Sequence, residues 1–249
     1  MATTQQSAGR GAPPFGAALK DWRAVRRMSQ LDLALTAGVS PRHVAFLETG
    51  RASPSREMVV ALASALDVPL RARNTLLAAA GFASLYPERS LDDEALAPIR
   101  AALDLMLTRH DPYPGILLDR HWNLVDANAT ARWLFAPLLD GATTTNIVEL
   151  LVANPRTSDI VTNWPSVALK FLSRLKLEAA HGGPDPVLVR LIERLAPVAA
   201  IQPSRLPLPL NRPFLSVGLE TPVGRIELFS TIAEFGTVED ITVRDLRLE

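Results

Sequence analysis

Hydrophobic residues between positions 15 and 80 recur every three or four positions, in short runs separated by glycine, serine and proline. This spacing is typical of amphipathic helices. Serines stand where helices should begin, and glycines stand where they should end. The pattern predicts five helices, at about 15–27, 29–37, 41–49, 53–66 and 69–80. Such a series of short helices indicates a compact all-α domain.

The stretch TAGVSPRHVAFLETG, at 36–50, carries the clearest of these signals. Gly38 can adopt the positive φ that ends a helix, and Ser40 is a good N-cap. Pro41 follows at the first helical position, where its missing N–H costs nothing. Gly50 ends the second helix. Two short helices joined by a tight turn fit either a buried helical hairpin or a segment that lies in a DNA groove.

The periodicity changes in the second part of the chain. A helix over 92–110 is followed by a break at Asp111-Pro112 and then by alternating, strand-like segments. Further helices are expected at 128–135, 146–153, 163–180 and 185–195, and the proline-rich run 197–213 reads as a loop. Strands are expected at 115–119, 122–126, 214–219, 225–231 and 241–248. This order predicts an α+β domain with an antiparallel sheet of about five strands.

Composition limits the classes of protein that fit. Residues 1–13 are small and polar, without the apolar core of a secretory signal, and we expect a disordered leader there. No apolar run reaches the length of a membrane span, so we expect no membrane partner. The lack of a secretory signal and of cysteine fits the cytoplasm, and we expect a cytoplasmic protein. The chain has no cysteine, which excludes disulfides, thiolate metal sites and a cysteine nucleophile. The expected organisation is a leader at 1–13, an all-α domain at 14–83, a linker at 84–91 and an α+β domain at 92–249.

The net charge of zero conceals a division between these parts. Residues 10–73 hold ten Arg or Lys against five Asp or Glu, a balance of +5, so the remainder carries −5. A basic first part joined to an acidic second part suggests that only the first meets a polyanion.

The stretch SQLDLALTAGVSPRHVAFLETGRASPSREMVVALASAL, at 29–66, resembles the Cro/C1-type, or XRE-type, helix-turn-helix family. Gln30 opens the first motif helix, Ala34 is the small residue at the helix crossing, and Gly38 makes the turn. Val44 and Leu47 anchor the second helix. The resemblance implies a five-helix, lambda-repressor-like DNA-binding domain whose second motif helix enters the major groove.

The outward face at the start of that helix then becomes the candidate DNA-reading surface. Arg42 can donate two hydrogen bonds to guanine, His43 can bond a base or phosphate, and Phe46 can contact a thymine methyl. The alternative is a buried hairpin with Phe46 in the core. The predicted DNA-contacting residues are Gln30, Ser40, Pro41, Arg42, His43, Phe46 and Arg51, with Gln30, Ser40 and Arg51 on phosphates.

Glu48 has a different expected role, although it lies on the same helix. The family uses this position for a buried pair with an arginine of the first helix, here Arg23. We therefore expect Glu48 to hold the domain together, and removal of either partner to cost several kcal/mol.

The larger domain resembles that of the MmyB-like regulators of bacteria, whose C-terminal domain is a PAS-like ligand-binding module. The residues that carry this resemblance lie at 73–82, 114–128, 163–164 and 222–228. It implies a sensor pocket between sheet and helices, with fatty-acid-like molecules among its ligands. One departure is that Glu220-Thr221 stand where the family usually has a histidine.

Aromatic residues and a few polar residues form the candidate ligand site, since such sites are mostly apolar with a few converging polar groups. For the aromatics, the alternative is that they simply fill the core. Asn128 also fits a helix N-cap, and Arg174 fits a solvated or paired side chain. The predicted ligand-binding residues are Trp122, Asn128, Arg132, Trp133, Phe135, Trp164, Phe171 and Arg174.

Enzyme motifs are missing from the sequence. The four histidines are scattered without metal-ligand spacing, and no nucleophile elbow, P-loop or dinucleotide fingerprint occurs. His121 beside Asp119 fits two turn residues better than a catalytic base. We therefore expect no catalytic residue, no metal and no cofactor.

Together these features predict a homodimeric transcription regulator on a palindromic operator in double-stranded DNA, because one short face reads too few bases alone. Its second domain is expected to bind a small apolar or fatty-acid-like ligand. The rival hypothesis makes that domain a ligand-free platform for dimerisation or protein docking.

Overall fold

The structure is a computed structural model that describes residues 14–199 and 216–249. It divides into two compact units, Met1–Pro87 and Glu88–Glu249. The expected leader at 1–13 and most of the expected loop at 197–213 lie outside the described residues.

Five helices make up the part of the first unit that the structure describes, as the periodicity predicts. Serine side chains cap three of them: the Oγ atoms of Ser29, Ser40 and Ser55 each accept a backbone N–H three residues on. Gly38 has φ 69° and Gly50 has φ 71°, which are conformations that favour glycine. The helices are α1 (Phe15–Val25), α2 (Gln30–Ala37), α3 (Pro41–Glu48), α4 (Arg56–Ala65) and α5 (Leu70–Ala79).

The core of the first unit takes one or more apolar residues from each helix. Leu19, Leu33, Val44, Leu62 and Leu77 are all fully buried in a single cluster. This cluster fixes the crossing of α2 and α3, so that the remaining face of α3 stays at the surface.

The second unit combines helices with short strands. It starts with a 3-10 turn (Glu94–Leu96) that leads into the helix predicted over 92–110. The elements that follow are α6 (Ala97–His110), β1 (Ile116–Leu118), β2 (Leu124–Ala127), α7 (Ala129–Leu139), α8 (Ile147–Ala153), α9 (Thr157–Ile160), α10 (Trp164–Gly182), α11 (Pro186–Ala199), β3 (Val217–Thr221), β4 (Gly224–Leu228), β5 (Ala233–Glu234), α12 (Ile241–Arg244) and β6 (Arg247–Leu248).

The strands form two antiparallel sheets. One has four strands in the order β2-β1-β6-β5, and the other is the hairpin of β3 and β4. The α+β class and the antiparallel pairing are confirmed, but the expected single sheet of about five strands is wrong. The six strands of the described chain are divided because β3 pairs with β4 and bridges from Leu219 to Val161, and does not join the larger sheet.

The predicted strand over 241–248 is also wrong for most of its length. Its residues alternate between apolar and polar, as in a strand, but Asp240 accepts the backbone N–H groups of Thr242 and Val243. This cap starts the short helix α12, and only Arg247–Leu248 pair as a strand.

The spacing of the sequence places Asn163 where an N-cap of the helix predicted over 163–180 would stand, but its side chain does not cap α10. Its amide donates to the carbonyl of Ser216 at 2.6 Å and accepts from the N–H of Gly218 at 3.0 Å. The side chain therefore ties the start of α10 to the edge of β3.

Two apolar clusters stabilise the described part of the second unit. The larger one is built mainly from α7, α8, α10 and α11 and includes Trp122, Trp164 and Leu219. The smaller one lies between α6 and the four-stranded sheet and includes Leu107 and Leu117.

Candidate functional sites

Helix α3 divides its residues between the core and the surface. Val44 and Leu47 are buried, whereas Pro41 and Arg42 at the start of the helix are exposed. Phe46 is half-buried and lies outside the buried cluster. The hypothesis of a buried hairpin with Phe46 in the core does not fit this arrangement.

Arg42 lies over the Phe46 ring, with its guanidinium carbon 5.1 Å from the ring centroid. Such a cation–π contact limits the rotamers of an exposed arginine. His43 is half-buried and its backbone N–H is used by the Ser40 cap. The structure thus brings Arg42, His43 and Phe46 together at one end of α3.

An ion pair locks α3 against the preceding helices, as the sequence predicts. The Nε of Arg23 donates to Glu48 Oε1 at 2.7 Å, and Nη2 donates to Oε2 at 3.1 Å. Gln30 Nε2 also donates to Oε2, at 2.8 Å. The Glu48 side chain is only 3% exposed, so it is a buried carboxylate held from α1 and α2.

The electrostatics of the pair favour its charged form. Burial raises the pKa of Glu48, but hydrogen bonds from Arg23 and Gln30 outweigh it, and the pKa lies below its ordinary value of 4.5. The hydrogen bond to Glu48 raises the pKa of Arg23 above its ordinary value.

The three residues predicted to contact phosphates differ in how many of their side-chain hydrogen-bonding groups already bond within the protein. Gln30 donates one amide N–H to Glu48, and its second amide N–H remains as a donor. The Ser40 oxygen accepts from His43, which leaves its hydroxyl hydrogen as a donor. Arg51 is exposed beyond the end of α3.

Gly16 is a structural residue that the sequence reasoning missed. It is buried where α1 crosses α3, and a Cβ added there would stand 2.8 Å from the carbonyl oxygen of Glu48. Only glycine allows this close approach of two backbones. The available signal was a lone glycine inside the amphipathic pattern of α1.

In the second unit, Trp122, Phe171 and Arg174 are brought together. Trp122 is 1% exposed, and its ring centroid lies 5.1 Å from that of Phe171, edge to face. The guanidinium carbons of Arg174 and Arg247 lie 4.9 Å and 4.4 Å from the Trp122 centroid. The indole N–H donates to Glu178 at 2.8 Å.

Arg247 is the member of this cluster that the sequence reasoning missed. Its Nη1 donates to Glu178 at 2.8 Å, but Nε and Nη2 have no hydrogen-bond partner among the described residues. The side chain is 6% exposed, and burial, the largest effect, lowers the pKa of Arg247. Arg174 meanwhile pairs with Glu178 and with Glu249. No local motif around Arg247 marks it, because Trp122 and Glu178 come from distant parts of the chain.

Asn128 uses its whole hydrogen-bonding capacity inside the protein. Its Oδ1 accepts from Gly115 at 3.0 Å and from Ala131 at 2.9 Å, which caps α7. Its Nδ2 donates to the carbonyls of Leu107 and Tyr113. The N-cap to Ala131 and the other internal hydrogen bonds therefore occupy both polar atoms of this side chain.

The other predicted ligand residues are spread over the unit. Trp133 is 52% exposed on α7. Arg132 pairs with Asp126 and donates to the Ala127 carbonyl. Trp164 is buried in the larger apolar cluster, and Phe135 packs against it.

His121 and Asp119 stand in a turn, as expected for turn residues. Asp119 Oδ1 accepts the backbone N–H groups of His121 at 2.8 Å and Asn123 at 2.9 Å. The imidazole Nε2 of His121 lies 3.0 Å from Asp185, which also pairs with Arg120. Within the described ranges, no group of three or more His, Asp or Glu is arranged to hold a metal ion.

A small cavity lies between α6 and the four-stranded sheet, away from Trp133 and Phe171. Its volume is about 50 Å³, and its lining is mainly apolar. The lining residues include Leu103, Met106, Leu117, Phe235, Leu246 and Leu248, together with Arg247.

Glu220-Thr221, where the resemblance leads one to expect a histidine, close the β3–β4 hairpin. The Thr221 hydroxyl donates to the Gly224 carbonyl, and Glu220 lies opposite Arg225. In the part of the chain that the structure covers, no helix is both long and apolar enough to cross a membrane.

Comparison with known families gives two matches that follow the two units. Residues 19–72 match the helix-turn-helix family, and residues 99–249 match the MmyB-like transcription regulator ligand binding domain. A comparison with curated proteins gives no significant match. Both matched families are domains of transcription regulators, so a DNA-binding unit is joined here to a ligand-binding unit. The chain therefore belongs to the MmyB-like transcription regulators with an XRE-type helix-turn-helix.

Proposed function

We propose that this chain is a homodimeric, sequence-specific transcription regulator in which α3 reads the major groove of a palindromic operator. The observation that carries the proposal is the division of α3 into a buried face and an exposed face. Val44, Leu47 and Glu48 hold the helix, while Arg42 at its exposed start is free of ion pairs among the described residues. The proposed place of action is the cytoplasm, where bacterial chromosomal DNA lies.

Each side chain of the exposed face has a distinct proposed role. Arg42 donates to the O6 and N7 of a guanine, and its contact with Phe46 orients it before binding. Phe46 contacts a thymine methyl, and His43 contacts a base or phosphate. Pro41 packs against the DNA beside them. Gln30, Ser40 and Arg51 bind phosphates and set the position of α3 in the groove.

Dimerisation follows from the size of this surface. One short helix end contacts too few base pairs to select a site in a genome. Two copies related by a two-fold axis would read two half-sites about one helical turn apart.

A DNA-binding assay with two variants tests the proposed base contact of Arg42 and the proposed phosphate contact of Arg51. Selection from random duplexes first supplies an operator for gel-shift titration. Arg42→Ala is expected to cost about 1–3 kcal/mol on this operator but much less on unrelated DNA. Arg51→Ala should weaken operator and unrelated DNA alike and lower the salt dependence of binding. Unchanged operator binding by both variants would show that α3 does not read DNA in this way.

We also propose that the second unit binds a small amphipathic ligand, of the fatty-acid kind, with an acidic head near Arg247. Two observations support this: a mainly apolar cavity borders Arg247, and the buried Nη2 of this side chain lacks an acceptor among the described residues, while Nε has only the Glu249 carboxylate at 3.7 Å. Leaving such groups unpaired is costly, and a carboxylate would supply the missing acceptor. The cavity must widen for a long chain to enter.

The ligand proposal predicts that purified protein carries or accepts a carboxylic acid. Native mass spectrometry and organic extraction of the full chain should detect it, and Arg247→Met should lose it. Arg225→Met, which changes an exposed arginine of the same unit, should retain it. If no molecule is found and no fatty acid changes operator affinity, the ligand proposal fails, because a regulator responds only to a ligand that prefers one of its states.

One observation favours a second function for this unit, that of a ligand-free platform. Trp122, Trp164 and Phe171 contact protein side chains, and Trp133 is exposed as a docking residue would be. Under this alternative, delipidated protein binds the operator with the same affinity as untreated protein. Trp133→Ala would then lower dimerisation or partner binding and leave fatty-acid binding unchanged.

A further inference from the structure

Helix α6 has an apolar line of residues on its exposed side. Leu103 and Leu107, on the inner side, are buried in the smaller apolar cluster. The residues on the outer side are exposed, yet all four are apolar: Pro98, Ala101, Ala102 and Leu105. Their spacings of three and four positions place them in one line along the helix. A second apolar face, turned away from the core of its own domain, is typical of a helix that packs against a further helix.

Charged residues of opposite sign flank this apolar line. Glu94 lies four residues before Pro98, in the 3-10 turn, and Arg109 lies four residues after Leu105, in the last turn of α6. Both charged residues are exposed, and neither pairs with an oppositely charged side chain among the described residues. The outer face of α6 is therefore acidic at its start, apolar in the middle and basic at its end.

We infer that α6 packs antiparallel against α6 of a second copy, about a two-fold axis between Ala101 and Ala102. This rests on the proposed homodimer and assigns its interface. The two small side chains allow the helix axes to approach to about 8 Å where they cross. On either side of the axis, Leu105 packs against the partner's Pro98. Each contact occurs twice, because a two-fold interface is self-complementary.

The charges select the antiparallel direction. With this axis, Arg109 lies opposite the partner's Glu94, and Glu94 lies opposite the partner's Arg109. A parallel pair would instead place Arg109 beside the partner's Arg109 and Glu94 beside the partner's Glu94. Opposite charges attract and like charges repel, and antiparallel helices also bring opposite dipole ends together. The charge order of α6 therefore complements a second copy of the same helix.

The length of α6 sets the affinity to expect. The helix has 14 residues and is about 21 Å long. A stable interface of standard size buries about 800 Å² on each partner, which is more than one face of such a helix supplies. The free protein should therefore dimerise with a dissociation constant on the order of micromolar. Operator binding should strengthen the pairing, because adjacent half-sites hold two copies together.

A charge in the apolar line tests this packing on the full chain by sedimentation velocity. Leu105 is 58% exposed in the single chain, so Leu105→Lys leaves the fold intact but places two ammonium groups in the interface. This variant should raise the dimer dissociation constant about a hundred-fold. Leu177→Lys is the matched control, since Leu177 is 59% exposed on α10, and it should leave the constant unchanged. A Leu105→Lys dimer as tight as that of the wild type overturns the inference.

Charge reversal at the two ends tests the register of the helices. Glu94→Arg places arginine opposite the partner's Arg109, and Arg109→Glu places glutamate opposite the partner's Glu94. Each variant should weaken its own dimer about ten-fold, since the change acts twice by symmetry. In a mixture of the two variants both contacts join arginine to glutamate again, so native mass spectrometry should show mainly heterodimer. A misfolded helix would not be rescued in this way, and a mixture without preference for the heterodimer overturns the inference.

Disulfide formation tests the direction of the helices, because the chain has no cysteine of its own. Ala101→Cys lies beside the axis, so two copies should be linked covalently under mild oxidation. Thr108→Cys is also exposed on the outer side, but antiparallel packing separates the two copies of this position by about 20 Å. A parallel pair would link both positions. Efficient linkage through Thr108→Cys, or none through Ala101→Cys, overturns the inference.

The outcomes distinguish this inference from the function on which it rests. A wild-type dimer that all α6 variants preserve overturns the α6 interface and leaves the homodimer standing. A wild-type chain that stays monomeric at high micromolar concentration and binds the operator as a monomer overturns both. That second result includes the cases in which the outer face of α6 binds a different protein or another segment of the same chain.

Discussion

Arg42 and Glu48 lie on the same short helix but have opposite environments. Arg42 is exposed and lies over the Phe46 ring, whereas Glu48 is buried and accepts hydrogen bonds from Arg23 and Gln30. A change at Arg42 should therefore alter DNA binding without altering stability, and a change at Glu48 should do the reverse.

Because of Glu48, the first unit should lose stability as the pH becomes acidic. The pKa of Glu48 is lower in the folded protein than in the unfolded chain. The ionised carboxylate therefore stabilises the fold at pH values above 4.5, the ordinary pKa of this group. That stability is lost as the pH falls through the lower folded-state pKa. Glu48→Gln should reduce the free energy of unfolding at pH 7 by about 3 kcal/mol, since Arg23 loses its partner. The deficit should shrink towards pH 3.

Hydrogen exchange of peptides from α1 and α3, corrected for the intrinsic effect of pH, measures this deficit. Asp21→Asn, at an exposed carboxylate of α1, is the control and should change stability by less than about 0.5 kcal/mol. A Glu48→Gln deficit that stays constant from pH 7 to pH 3 would contradict this account of the ion pair.

Some residue roles were predictable from sequence and others were not. The Arg23–Glu48 pair was predicted from the family pattern, and the structure confirms it. Asn128 fitted two roles because a cap and a ligand contact require the same side chain. Arg247 had no local signal, since Trp122 and Glu178 meet it only after folding.

Helices were predicted better than strands because their ends carry local chemical signals. Ser29, Ser40 and Ser55 begin helices where the sequence places them. The strand predicted over 241–248 was wrong because the segment alternates between apolar and polar residues as a strand does. A single cap at Asp240 outweighed the alternation there.

The crossing of α1 and α3 depends on Gly16 more than the turn depends on Gly38. An alanine at position 16 would press its Cβ against the backbone of Glu48, which cannot move without shifting α3. An alanine at position 38 meets nothing within 4 Å and only has to adopt φ 69°. Gly16→Ala should therefore cost several kcal/mol, and Gly38→Ala about 1 kcal/mol.

The stability losses of the Gly16→Ala and Gly38→Ala variants can be compared by operator affinity and by hydrogen exchange of α3 peptides. Gly16→Ala should abolish operator binding at concentrations where Gly38→Ala still binds. A Gly38→Ala variant that is the more damaged of the two would show that the turn, and not the helix crossing, limits the stability of this unit.

At the scale of the whole molecule, charge and chemistry are divided between two units. The basic part of the chain contains α3, and the acidic part contains Trp122, Arg174 and Arg247. This division could be predicted from the sequence, because the net charge of a segment depends only on its composition. The pairing of strands was not, because it depends on contacts between distant segments, such as that between Val161 and Leu219.

The most direct test of sequence reading by α3 is the base preference itself. Selection from random duplexes with wild-type protein should return a palindrome, and the same selection with Arg42→Ala should lose one guanine preference in each half-site while the other positions persist. An Arg42→Ala profile identical to that of the wild type, or the absence of any palindrome from the wild-type selection, would contradict the account.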